Sequence, residues 1–416
     1  MFLLKHHSEL PSDILIKIES KYTRWFSQLS QEAEQEMHDA RRPKELALPL
    51  LGSFDAVLHL NILDYDLPEI YGYLLAMFKK LKVMDILKVT PSQMLDFLID
   101  VQERYQDTPY HSFRHGCDVL MMLYSNYMEL MRNRAVEGEF DFIMELEIAV
   151  IFIAAICHDA GHNGRNNDFH ERTKSPLTTR FEKNTSYLEA LSVDITLELI
   201  EKHRLFHAFT SMEEQCMIHE WIETAILLTD MKHHHDLLKM AKILRDMFDH
   251  ANLSPKQRLA LACVLLHAAD ISNPIRPWRI SKQWSDLVVQ EFYAQGDDER
   301  EAGFPKISPG MDRMQNTQAS TGVRFNNIVK EYFEQVAAIL ALPSLSSHYN
   351  DIDDTQDDPT TTTTKGVNLK HRKMMSLPAG TLSIPSNSNH RKNEPKIRPL
   401  PIVRTTSHSS FLFSPP

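Results

Sequence analysis

The stretch Ile148-Ala149-Val150-Ile151-Phe152-Ile153-Ala154-Ala155-Ile156-Cys157-His158-Asp159 decides the reading of this chain. Its apolar run falls well short of the roughly 20 residues a helix needs to cross a bilayer. It suits a buried helix instead, and it stops on an imidazole followed by a carboxylate. An aspartate amid apolar helix is costly unless it is paired, hydrogen-bonded or bound to a metal. A second stretch has the same design: Leu265-Leu266-His267-Ala268-Ala269-Asp270-Ile271-Ser272-Asn273. Both stretches predict apolar helices that deliver ligand-type side chains to the floor of a cavity.

The surroundings are helical too. Segments 83–105, 115–134, 142–158, 187–204, 211–231, 236–251, 255–270, 281–295 and 322–341 carry the 3.6-residue hydrophobic period. Polar or Pro/Gly joints separate them, such as Asp107-Thr108-Pro109, Asn252-Leu253-Ser254-Pro255 and Ser308-Pro309-Gly310. No stretch sustains a two-residue alternation, no internal repeat is found, and 12 glycines in 416 residues do not suit a turn-rich β fold. The fold class read from these patterns is all-α.

Composition divides the chain into three. Residues 1–44 form an amphipathic lead-in, with Ile14, Leu15, Ile18, Tyr22, Trp25, Phe26 and Leu29 at three- and four-residue steps. That face is expected to pack on the main body or on a second subunit of a homodimer. Residues 45–345 form the main helical domain. Residues 346–416 are acidic, threonine-rich and then Ser/Pro/basic, too poor in apolar residues for a core, and read as a disordered tail. Within the tail, Arg372-Lys373-Met374-Met375-Ser376 has the form of a basic-directed kinase site, and Arg398-Pro399-Leu400-Pro401 that of a polyproline ligand.

A net charge of −11 argues against a general nucleic-acid binder, though not against an anionic substrate held through metal ions. Neither a signal segment nor a membrane span is read, and Cys117, Cys157, Cys216 and Cys263 read as buried free thiols. The expected address is cytoplasmic.

Four segments concentrate His and Asp: Tyr110-His111-Ser112-Phe113-Arg114-His115, then His158-Asp159-Ala160-Gly161-His162-Asn163-Gly164, then Thr229-Asp230-Met231, then His267–Asn273. On a helix, His111 and His115 share one face about one turn apart. Each segment alone has a bland explanation, and His233-His234-His235 reads as a solvated helix end. Together, the simplest joint account is a metal centre. Imidazole and carboxylate ligands suit zinc at one position, and a water-rich carboxylate position suits magnesium or manganese.

This ordered set, continuing through Gln283-Trp284, Glu291-Phe292, Gln295-Gly296-Asp297 and Met311-Asp312-Arg313, resembles the catalytic domain of class I cyclic-nucleotide phosphodiesterases over residues 54–340. The resemblance implies a multi-helix, HD-type two-metal domain that hydrolyses cAMP, cGMP or both to 5′-monophosphates. It implies that His115, His158, Asp159 and Asp270 hold the first metal, with Asp159 bridging to the second. A bridging hydroxide would attack phosphorus, and His111 would protonate the departing 3′-oxygen as general acid. His162, Glu189 and Thr229 would orient metal-bound waters and His111. Tyr110, Asn273, Val288 and Phe325 would line the substrate pocket. Two departures stand out: Ala190-Leu191-Ser192 where the family has Asn-His-His, and Gly322 where it has a purine-reading glutamine, with Gln318 one turn earlier. The alternatives are another HD-type metal phosphohydrolase, or a non-catalytic nucleotide-binding or scaffold protein on the same fold.

Overall fold

The computed structural model describes residues 54–134, 142–247 and 253–342. The chain divides into two units, 1–359 and 360–416, and every described residue lies in the first. The expected lead-in 1–44 and tail 346–416 lie outside the described residues.

Fourteen α-helices and no strand occur among the described residues. In chain order they are α1 (Phe54–His59), α2 (Leu67–Lys80), α3 (Val83–Leu87), α4 (Pro91–Arg104), α5 (Phe113–Arg134), α6 (Glu145–Cys157) and α7 (Asn167–Thr173). They continue as α8 (Pro176–Arg180), α9 (Tyr187–His203), α10 (Met212–Leu227), α11 (His234–Met247), α12 (Pro255–Asp270), α13 (Trp278–Glu301) and α14 (Gln318–Ile339). None is long and apolar enough to cross a membrane.

The core sits around α6, whose residues Glu147–Cys157 are all buried. It packs against α3, α5, α9, α10 and α12, which explains why it is apolar on every side rather than on one stripe. Its one buried acid, Glu147, is held by the Arg258 guanidinium at 2.7–3.0 Å. Beside it, α12 starts with Pro255 in the first turn, where a missing N–H costs nothing, and is buried from Leu259 to Ala269. These two helices run their apolar bodies through the core and bring His158-Asp159 and Asp270 to one place.

Local chemistry corrects several of the expected boundaries. The segment 83–105 is two helices, because Pro91 holds Thr90 extended and Thr90 and Gln93 form a reciprocal capping box at 3.2 and 2.8 Å. The segment 211–231 ends as a helix at Leu227, and Asp230 then caps a short 3₁₀ turn, Met231–His233. Cys216 is exposed, while Cys117, Cys157 and Cys263 are buried; all four are free.

One close approach depends on a missing side chain. A Cβ at Gly296 in α13 would lie 2.0 Å from the carbonyl oxygen of Met311. Gly296→Ala is therefore expected to destabilise the fold by about 1–3 kcal/mol, the usual range for overpacking. A urea midpoint equal to that of the parent protein would show that the loop yields without penalty.

Candidate metal centre and acid pair

Four side chains from three elements meet where α5, α6 and α12 converge. His115 lies in the first turn of α5, His158 caps the end of α6 with Asp159 following it, and Asp270 is the last residue of α12. His115 Nε2 is 3.0 Å from Asp270 Oδ1 and 3.5 Å from Asp159 Oδ2. His158 Nε2 is 3.2 Å from Asp159 Oδ2 and 3.3 Å from Asp270 Oδ1. These four separations are those between neighbouring ligands of one ion with bonds of about 2.0–2.2 Å, the length of Zn–N and Zn–O bonds.

The protonation pattern also fits a metal ion. His158 Nδ1 donates to the Ala155 carbonyl at 2.8 Å, so its Nε2, buried and without a hydrogen-bond partner, is the nitrogen turned to the two carboxylates. Burial alone would push this imidazole toward neutrality, but Asp159 and Asp270 hold its pKa well above the ordinary value. Burial likewise opposes the charge on Asp159 and Asp270, yet the histidines around them hold both well below the usual carboxylate range. The two ionised carboxylates thus favour positive charge at this point, and a bound cation would take the place of the proton they hold on His158.

A second group, His111, His162 and Glu291, also has ligand atoms close together. Its geometry is different. His111 Nδ1 lies 2.6 Å from Glu291 Oε2, a charge-assisted hydrogen bond and too short for two ligands of one ion. Glu291 Oε1 accepts from the backbone N–H groups of Tyr110 at 2.6 Å and His111 at 2.8 Å. The carboxylate thereby grips both the ring and the backbone of His111. The His162 ring stacks on His111 at 3.8 Å, and its Nδ1 accepts from the Gly164 N–H at 3.0 Å.

Charge separates the roles of these two rings. Burial works against a charged His111, but the Glu291 carboxylate more than offsets it and raises the pKa to about 9. Burial and the His111 charge push His162 down to about 3, so it stays neutral. Glu291 is drawn down to about 2 by its partner despite its burial. The His111 side chain is 24% exposed against 3% for Glu291, so the ring meets solvent while its partner is buried. Within this group the positive charge rests on His111.

A pH prediction follows. A general acid works in its protonated form, so turnover should persist below the His111 pKa and fall above it. Glu291→Gln removes the largest raising influence. The alkaline limb of kcat is therefore expected to move to lower pH by about one to two units. An unmoved limb in that variant would mean that another group supplies the proton.

The helical one-turn spacing expected for His111 and His115 is not observed. α5 begins at Phe113, and His111 lies before it with its ring centroid 6.0 Å from that of His115. The two rings meet because Glu291 holds the 110–111 backbone, not because a helix carries both. The Tyr110 ring lies tilted against that of His115 at 4.6 Å, and its hydroxyl donates to Asn273 Oδ1 at 2.7 Å. Asn273 Nδ2 donates to Asp118 at 3.3 Å, and Asp118 is locked to the Arg276 guanidinium at 3.1 and 3.2 Å. Arg276 also donates to the carbonyls of Val57, Leu58 and Leu60, at and just beyond the end of α1.

Glu189 lies at the start of α9. Asn167 Nδ2 donates to Glu189 Oε2 at 2.8 Å and to Asp230 Oδ2 at 3.2 Å, bridging the two acids. Burial and the Asp230 charge raise Glu189 to about 8. The Lys232 ammonium contacts Asp230 at 3.2 Å, Thr185 at 2.8 Å and Ser186. Thr229 spends its hydroxyl proton on the Ile226 carbonyl at 2.8 Å, which closes the end of α10. Val288 on α13 and Phe325 on α14 are both half-buried. Nothing would crowd a Cβ at Gly322, whereas the Gln318 amide is engaged by Ser285 at 3.2 Å and by Asp286.

One reading of the triple histidine is overturned. His234 is 3% exposed and lies 3.0 Å from His267, with its other nitrogen near the Ile328 carbonyl. Only its neighbours meet solvent. The residue sequence reasoning missed as a partner is Glu291. Its signal is the stripe Trp284, Glu291, Gln295, Glu299, in which polar residues continue the buried face of one helix.

The chain matches the family described as 3′5′-cyclic nucleotide phosphodiesterase over residues 110–352, more than half its length. It is 28% identical over 263 residues to the mouse (Mus musculus) high affinity cGMP-specific 3′,5′-cyclic phosphodiesterase 9A, covering 63% of this chain and 47% of that protein. It is 30% identical over 242 residues to cGMP-specific 3′,5′-cGMP phosphodiesterase 3 of Dictyostelium discoideum, covering 58% and 49%. The chain thus spans about half the length of these relatives. Among solved structures, it resembles the phosphodiesterase domain of the RhoPDE fusion protein from the choanoflagellate Salpingoeca rosetta. There the TM-score is 0.61 and the identity 28%, over 68% of this chain and 88% of the other.

Proposed function

The chain belongs to the 3′,5′-cyclic nucleotide phosphodiesterase family, and from that premise we propose that it hydrolyses cyclic purine nucleotides to 5′-monophosphates. The observation that carries the reading is the placement of a His₂Asp₂ set beside a His–Glu pair whose imidazole meets solvent. A non-catalytic scaffold would have no need of either.

His115, His158, Asp159 and Asp270 would hold zinc, and a second position bordered by Asp159 and the Glu189–Asp230 pair suits magnesium or manganese. When bound, such ions supply charge stabilisation at phosphorus and a reactive water at neutral pH. The remaining chemistry belongs to the chain. As the water oxygen bonds to phosphorus and the P–O3′ bond breaks, His111 Nε2 gives its proton to O3′. Glu291 keeps the ring charged and aimed before the step, and neutral His162 packs against it without competing for the proton. Tyr110 covers His115 and is fixed by Asn273.

The mouse and Dictyostelium relatives are named as cGMP-specific, and a Plasmodium falciparum relative as acting on both nucleotides. With Gly322 where the family carries its glutamine and Gln318 tied to α13, we propose that this chain reads the base weakly. Gly322→Gln, which has room, should lower KM roughly 5- to 100-fold, the worth of about 1–3 kcal/mol of hydrogen bonding, with kcat little changed. An unchanged KM would place base recognition elsewhere.

The decisive experiment supplies cAMP and cGMP separately to purified, zinc-loaded protein with magnesium and separates 5′- from 3′-monophosphate product. Turnover of either to the 5′ product supports the reading. Neither being consumed by metal-replete, folded protein would overturn it.

A further inference from the structure

Three polar residues lie four apart along one face of α13: Glu291, Gln295 and Glu299, exposed by only 2%, 1% and 0%. Buried polar groups at this spacing each need a partner, and each has taken a different loop. Glu291 holds 110–111, as described. Glu299 accepts from the Ser308 N–H and hydroxyl, both at 2.6 Å. Gln295 takes the loop that follows His162: its Oε1 accepts from the Asn166 N–H at 2.9 Å, and its Nε2 donates to Asn166 Oδ1 at 2.9 Å. Nε2 also donates to Glu299 Oε1 at 2.8 Å. Glu299 is held ionised by Ser308 and Gln295 against its burial, so it can only accept, and this fixes which way the Gln295 amide points.

The two-point grip on Asn166 has a consequence one residue on. Asn166 Oδ1 caps α7 by accepting from Phe169 N–H at 2.9 Å, so the helix start is set where Gln295 sets it. The next residue, Asn167, accepts from Leu188 N–H at 3.0 Å and turns both its amide protons toward Glu189 and Asp230. No other side chain is seen to bridge these two acids among the described residues. We propose that Gln295 is a positioning residue: by pinning Asn166 it places the Asn167 amide between Glu189 and Asp230, and so shapes the acidic border of the second metal position. This deepens the phosphodiesterase reading and rests on it for its link to turnover.

The test is a double-mutant cycle on full-length protein, with Gln295→Leu, Asn166→Ala and the pair. Asn166 is half-buried in a loop and serves should the Gln295 change impair folding. Each single change is expected to lower kcat about tenfold with KM within about twofold, in keeping with the cost of a misplaced catalytic group. In metal-stripped protein, Mn²⁺ titration followed by electron paramagnetic resonance should show the weaker class of sites loosened by about three- to tenfold and the tighter class unchanged. The double variant should be no worse than the poorer single one, because both act through one contact. Additive losses, or Asn166→Ala with normal kcat and Mn²⁺ affinity, would overturn the proposal. Should the parent protein turn over neither nucleotide, the phosphodiesterase reading fails, while the Mn²⁺ measurements still decide this one.

Discussion

Asp270→Ala is expected to lower turnover by at least about a thousandfold and to abolish metal binding at the His₂Asp₂ set, with helix content retained. Asp270 Oδ1 lies against both imidazoles of the set, 3.0 Å from His115 and 3.3 Å from His158. Removing it takes one of the four candidate ligands and one of the two carboxylates from the set. A metal centre contributes several kcal/mol at the transition state, and each 1.36 kcal/mol is tenfold in rate, which gives the scale of the loss. The fold should survive, because Asp270 ends α12 and its preceding buried run, Leu259–Ala269, is untouched. Zinc content by mass spectrometry and helix content by circular dichroism separate the two effects. Near-normal turnover with zinc retained would remove Asp270 from the ligand set.

The second large effect is at His111. His111→Asn should cut kcat by about 10²–10⁴-fold, the range for loss of a general acid. Asparagine is the informative choice, since its amide can still donate to Glu291 but has no proton to surrender. Bound zinc should be unchanged, because His111 is bonded to Glu291 and belongs to the proton-holding group. An aryl phosphodiester, whose leaving group departs without protonation, should be affected far less. Equal losses on both substrates would assign His111 a structural role.

Much of this was legible in the sequence, for a physical reason. Helices such as α6 and α12 are apolar on all sides because they are enclosed, and a His or Asp at the end of such a run has few explanations. Joints made by proline are legible in principle, yet the one at Thr90-Pro91 is masked by an apolar period that continues across it. Pairings between distant segments are a different matter. Glu291 lies 180 residues from His111, and nothing in the local pattern of 281–295 says which loop its carboxylate will hold. The same holds for His234, whose burial depends on α12 and α14 rather than on its polar neighbours. The 110–115 segment misled because the spacing His-x-x-x-His fits a helix, whereas α5 starts two residues too late.

The Arg276–Asp118 pair has a consequence for how the gene can change. Both side chains are almost wholly enclosed, and replacing one alone strands the other's charge at a cost of about 3–5 kcal/mol. That is a large part of the roughly 5–15 kcal/mol by which a domain is stable. Single-step drift at either codon therefore leads through a poorly folded ancestor. Lineages should carry the two residues together or exchange them together, which makes the pair a heritable unit although 158 positions separate its members.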